Sequence, residues 1–202
     1  MKRLRYIFQL IVFFSLFSNM RTFASDLFPQ LPLVIYSEAF SYNKPFQFVP
    51  SGWMGDIHAL LAYDNWRQGP HSGDSCMKFV YDMTKPWIHG WAGVCWQYPA
   101  NNWGNIDGGV NLSGATRVTF WAKGETGEEY IFFKVGGNYG IFSDSTEIIY
   151  GPVQLTKEWN KYSIALQGED LSHIGCGFGW IADKTEQVAE KLIFYLDDMK
   201  IE

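Results

Sequence analysis

Between Gly90 and Gly104 the chain reads GWAGVCWQYPANNWG, which sets Trp91, Trp96, Tyr98 and Trp103 among Gln97, Asn101 and Asn102. Aromatic rings offer a flat apolar face to the C–H side of a sugar ring, and carboxamides reach its hydroxyls. Each such ring can bury ~150–250 Å², enough for a few of them to hold a ligand. The chemistry this stretch suggests is therefore recognition of a polyol. The same residues also suit a well-packed sandwich rim, in which Asn101 and Asn102 hydrogen-bond their own turn and Trp103 tucks beneath it.

Residue sets for bond-making are hard to find. His58, His71, His89 and His173 are scattered, without the close spacing of a metal-binding pair. No G-x-S-x-G elbow, Cys-His arrangement or phosphate-cradling glycine loop occurs. Carboxylates are plentiful, but nothing in the sequence places two of them at the separation a glycosidase needs. The sequence points to a protein that is not an enzyme.

The elements that would position these residues are short strands. Ala92, Val94 and Trp96 share one parity and Trp91, Gly93, Cys95 and Gln97 the other, a period of two that predicts a two-faced strand ending at Pro99. Similar alternation predicts strands over 31–40, 76–83, 117–123, 129–135, 148–155, 159–166, 171–180 and 192–201. Met77, Phe79, Tyr81, Val118, Phe120, Ile131, Phe133 and Val135 are the inward set. Trp91, Gln97, Thr119, Trp121, Lys123, Tyr130, Phe132 and Lys134 are the outward set, expected on a shared face. Residues 43–70 read as a long loop whose Phe46, Phe48, Trp53 and Trp66 either cover that face or leave it open. Residues 184–191 form two helical turns or a loop. Many short strands separated by Gly, Pro and Asn turns predict an all-β, single-domain β-sandwich or jelly roll.

The first 24 residues carry Lys2, Arg3 and Arg5, then an apolar run from Ile7 to Phe17, then Thr22-Phe23-Ala24. That is the pattern of a cleavable signal peptide, with Ser25 as the mature N-terminus and residues 25–202 as the domain. The apolar run is shorter than the ~20 residues of a membrane span, so the mature chain is expected to be secreted or periplasmic, with no transmembrane segment. Four of the 16 basic residues and none of the 21 acidic ones lie in the leader, leaving a net charge of −9. Such a balance argues against nucleic acid as a partner.

Cys76, Cys95 and Cys176 are an odd number for an exported chain. If the strands of Cys76 and Cys95 form a hairpin, the two sit diagonally, ~7–8 Å apart, too far to pair. Either one disulfide involves Cys176 or all three are buried thiols.

PSGWMGD (50–56), PHSGDSCMKFVY (70–81), GWAGVCWQYPANNWG (90–104), LSGATRVTFWAKGE (112–125), LSHIGCGFGW (171–180) and FYLDD (194–198) follow one another in that order. Together they resemble bacterial exported domains with the galactose-binding-like jelly-roll fold, a group that includes carbohydrate-binding modules of family 11. The resemblance spans residues 32–202. It implies glycan binding on a sheet face or at edge loops, with Trp91, Gln97, Asn101, Asn102, Trp103, Trp121 and Tyr130 as the ligand-binding candidates. It also implies a structural calcium ion at Glu38, Asp74 and Asp197, with Asp198 as an alternate to Asp197. The expected function is a secreted, non-enzymatic carbohydrate-binding module whose partner is a polysaccharide or other glycan. The alternatives are a protein-interaction or envelope-assembly domain with a protein partner, and a glycan-active hydrolase.

Overall fold

A computed structural model describes residues 28–37, 45–86 and 89–202. The signal-peptide reading lies outside these residues, as does Glu38. The chain divides at Gln30, and the unit Leu31–Glu202 is the sandwich.

Among the described residues eleven strands run in chain order: β1 (Leu33–Tyr36), β2 (Val49–Gly55), β3 (Leu60–Trp66), β4 (Cys76–Asp82), β5 (Trp91–Gln97), β6 (Arg117–Gly124), β7 (Tyr130–Gly136), β8 (Glu147–Gln154), β9 (Asn160–Ala165), β10 (Cys176–Asp183) and β11 (Lys191–Ile201). They form two antiparallel sheets. The six-stranded sheet has the order β3-β4-β11-β6-β9, with β1 also paired to β11. The five-stranded sheet has the order β2-β5-β10-β7-β8. This is the expected all-β sandwich of jelly-roll type.

The inward parities meet between the sheets. Phe79, Phe120, Phe194 and Val118 from the first sheet pack against Trp96, Phe133, Phe178 and Trp180 from the second, all at most 1% exposed. Phe79 meets Trp180 edge-on at 5.1 Å, and Phe120 meets Phe178 at 5.0 Å. These are favoured aromatic arrangements, each contributing about 0.5–1.5 kcal/mol beyond area burial.

Two expectations are corrected here. Residues 45–66 are not a cover for one face: Val49–Gly55 edges the five-stranded sheet, Ile57–Ala59 makes one 3-10 turn, and Leu60–Trp66 edges the six-stranded sheet. Nor do β4 and β5 form a hairpin, since they lie in opposite sheets. Cys95 and Cys176 form a disulfide across β5 and β10, and Cys76 is a buried free thiol. Sequence parity puts Cys176 on the side of Phe178. A bulge between them shifts the register, so Cys176 stands opposite Gln97 and joins Cys95 on the outer face.

Candidate functional site

The outward residues expected on one face lie on two. Trp91, Gln97, Tyr130, Phe132 and Lys134 belong to the five-stranded sheet, whereas Thr119, Trp121 and Lys123 belong to the six-stranded sheet. Parity tells inside from outside, and both sheets have an outside.

On the five-stranded sheet the register builds the outer face row by row. Trp91 stands opposite Asp183, and the Gln187 Nε2 donates to the carbonyls of both Asp183 (3.1 Å) and Tyr130 (2.7 Å). Trp91 and Tyr130 thus flank Asp183 from the two neighbouring strands, about 10 Å apart at ~4.8 Å per strand. In the next row Met54, Gly93, Ile181 and Phe132 follow one another across four strands. Gly93 leaves no room for a side chain, because a Cβ there would come within 2.5 Å of the Trp180 carbonyl oxygen. Trp91, Tyr130, Phe132, Ile181 and Met54 are all half-buried, so their rings and chains still reach solvent.

The third row is Gly52, Cys95, Gly179, Lys134 and Ile149. Glycine at two of these positions lets long polar side chains lie flat. Gln97 folds over Gly52, and the Lys134 chain crosses Gly179. Lys134 Nζ then donates to Glu147 Oε1 at 2.6 Å, and Tyr139 Oη donates to Glu147 Oε2 at 2.5 Å. Burial pushes the Glu147 carboxyl up, but the Lys134 and Tyr139 hydrogen bonds outweigh it and hold the group below the ordinary carboxylate range. The face therefore has aromatic and aliphatic rows at one end and a polar floor with one fixed ion pair at the other.

Asp183 and Ile181 were missed because the expected strand stopped at Trp180. The alternation of Gly179, Ile181 and Asp183 against Phe178, Trp180 and Ala182 carries the signal three residues further.

The 98–109 loop contains the remaining candidates. Asn102 is buried, and its Oδ1 accepts from the backbone N–H of Gly104 (2.9 Å) and Ile106 (3.3 Å). Gln97 is buried too, its Oε1 accepting from Ser51 Oγ at 3.0 Å. Neither side chain is positioned to touch a glycan. Their oxygens serve a strand end and an Asx-type turn, while Gln97 Nε2 and Asn102 Nδ2 are buried without a hydrogen-bond partner among the described residues. Asn101 is exposed, with a left-handed φ of 60°, and Trp103 is 39% exposed. These two lie at the loop, beyond the Gln97 end of β5.

The other sheet's outer face is partly covered by residues 67–75. His71 stacks on Trp121 with ring centroids 3.7 Å apart, and the Gly69 carbonyl accepts from Lys123 Nζ (3.2 Å) and Trp159 Nε1 (3.1 Å). Lys78 lies 3.9 Å over Trp66, and Lys123 lies 5.1 Å over Trp159, the arrangement a ring's negative face favours.

The acids expected to hold calcium are not gathered among the described residues. Asp74 is exposed and outside the group formed by His71, Asp197 and Asp198, whose ligand atoms lie within 4.8 Å of one another. Asp197 Oδ2 accepts from the backbone N–H of His71 (3.0 Å) and Ser72 (3.3 Å), and its Oδ1 from that of Asp198 (2.9 Å). Calcium takes six to eight oxygen ligands; of the three acids expected to supply them, Asp197 is turned to backbone N–H donors, Asp74 stands apart from it, and Glu38 lies outside the described residues.

No family model matches the chain, and no curated protein matches it. Solved structures do. A family 30 carbohydrate-binding module from a cellulosomal cellulase of Clostridium thermocellum superposes with a TM-score of 0.55 at 14% identity, covering 86% of this chain and 98% of that one. Another crystal structure of a family 30 module gives 0.54 at 15% identity over 85% and 87%. An agarase gives 0.51 at 10% identity, covering 86% of this chain but only 26% of the enzyme. The fold is that of a carbohydrate-binding-module-like jelly roll.

Proposed function

We propose that this chain is an exported, non-catalytic glycan-binding module that holds a polysaccharide along the outer face of its five-stranded sheet. The observation that carries the reading is the registered pair Trp91 and Tyr130 on either side of Asp183, beside the Met54–Gly93–Ile181–Phe132 row. Half-exposed rings at fixed height suit the C–H faces of successive sugar units, and Asp183 between them suits a hydroxyl donor. Contiguous apolar surface that a folded protein leaves in reach of solvent commonly marks a binding site. The solved modules of the same fold support the choice of ligand class. No helix among the described residues is long and apolar enough to cross a membrane.

Affinity electrophoresis through gels cast with different polysaccharides tests the idea. Retardation by at least one glycan is expected, with Trp91→Ala and Tyr130→Ala each weakening it about tenfold, the scale of one buried ring. Retardation that both variants leave unchanged would move the site elsewhere.

A protein partner is the second reading. Tyr139, Ile141, Ile149 and Val188 are all more than half exposed. A pull-down that depends on Ile141 or Val188, without any glycan retardation, would favour it.

A further inference from the structure

The six-stranded sheet has an outer-face feature that the proposed glycan surface does not use. Where β1, β6, β9 and β11 meet, a pocket of about 240 Å³ is walled by Trp121, Lys161, Asp198 and Lys200, with Val34 and Met199 among its other lining residues. Pockets for drug-sized ligands run to ~300–1,000 Å³, so this one has room for a single sugar-sized unit.

Its walls are held in place. His71 stacks on one side of the Trp121 ring at an interplanar angle of 18°, which fixes the indole. Asp198 has a left-handed backbone, φ 47°, and its Oδ2 is anchored by Ser72 Oγ at 2.8 Å and by His71 Nδ1 at 2.9 Å. Strained backbone of this kind persists where surrounding contacts over-determine it. Lys161 stands directly opposite Trp121 across the β6–β9 pair, where facing side chains are ~4.5–5.5 Å apart at Cβ. Lys200 is ion-paired to Glu202 at 2.6 Å, whereas Lys161 has no carboxylate partner among the described residues. In a sequence with more acidic than basic residues, an uncompensated lysine facing a positioned indole is a point of charge selection.

We propose that this pocket binds one anionic sugar unit, a hexuronate. The C–H side of its ring lies against Trp121, its carboxylate reaches Lys161, and its hydroxyls donate to Asp198. The site lies on the opposite sheet from Trp91 and stands independently of the reading given above.

Titrating the full chain with D-galacturonate and with D-galactose, followed by heteronuclear NMR, tests this. Galacturonate is expected to shift the Trp121 and Lys161 signals, with galactose at least ten times weaker. Added salt should weaken the galacturonate response, because the contact is ionic. Lys161→Gln, at an exposed position that leaves the fold intact, should weaken galacturonate binding about tenfold, the scale of one hydrogen bond to a charged group. Trp91→Ala should leave it unchanged. No galacturonate binding, equal binding of galactose, or an unaffected Lys161→Gln variant would overturn the proposal. Loss of galacturonate binding in Trp91→Ala would also overturn it, by placing the acidic sugar on the other sheet.

Discussion

Removing the Cys95–Cys176 disulfide, as the double variant Cys95→Ala/Cys176→Ala, tests both the fold and the platform beneath the proposed glycan face. The bridge closes a loop of 81 residues between β10, the central strand of the five-stranded sheet, and its neighbour β5. The chain-entropy relation gives about 4.5 kcal/mol for a loop of that length at 25 °C. At ~2–4 °C per kcal/mol for a domain of this size, Tm should fall by about 9–18 °C. Both sulfurs are buried, so loss of their packing adds to the effect rather than offsetting it. Scanning calorimetry of the two proteins measures the shift, and thiol counting checks the premise. Denatured without reductant, the natural chain should show one reactive thiol, Cys76, and after reduction three. A count of three without reductant, or a Tm within 2 °C or so of the natural value, which is under ~1 kcal/mol, would refute the assignment.

Other expectations are narrower. Gly55 has φ +69°, and a Cβ there would come within 2.1 Å of the Trp91 carbonyl oxygen. Gly55→Ala should lower Tm and weaken glycan retardation together, because the clash displaces the strand that carries Trp91; an unchanged Tm would contradict the geometry. In the folded protein the Cys76 thiol is pushed up to about 12, by burial first and the nearby Asp197 charge second. It should therefore stay protonated and unreactive to a disulfide reagent at pH 8 until the chain is denatured. Lys200 and Arg117 beside Glu202 hold its carboxyl down at about 2, against an ordinary 4.5. Since the folded value is the lower one, this stabilisation is present above pH 4.5 and is lost as pH falls from there toward 2. Exposed pairs are screened, so Glu202→Gln should cost less than about 1 kcal/mol at pH 7 and nothing near pH 2. EGTA should leave Tm unchanged, given the donor set around Asp197; a chelator-sensitive Tm would show that calcium is held after all.

Of the candidate site, the sequence made the ring residues legible and their grouping illegible. Trp91, Tyr130 and Phe132 were identified from alternation within each strand, which needs no knowledge of neighbours. Trp121 was grouped with them because alternation assigns it outward as well. Which sheet a strand joins depends on its partners across long stretches of chain, and β6 pairs with β9 and β11 rather than with β5 or β7. Gln97 and Asn102 had the composition of sugar-binding amides, but neighbouring chain buries both, and burial is set by packing from distant segments. His71, a lone histidine in a turn by sequence, came to stack on Trp121 and to hold Asp198 only because β4 and β11 pair.

The sequence by itself determined the all-β class, most strand positions and the inward set from Met77 to Val135, because period-two burial is a local property of a two-faced strand. The tertiary structure alone decided three further things. Long-range pairing decided that Trp91 and Trp121 lie on opposite faces. A single-residue bulge decided that Cys176 turns from the core side to meet Cys95. The register between β5, β10 and β7 decided that Trp91 and Tyr130 flank Asp183. Each depends on strands far apart in the chain, where loop closure and competing hydrogen-bond partners fix the outcome, and no local period records it.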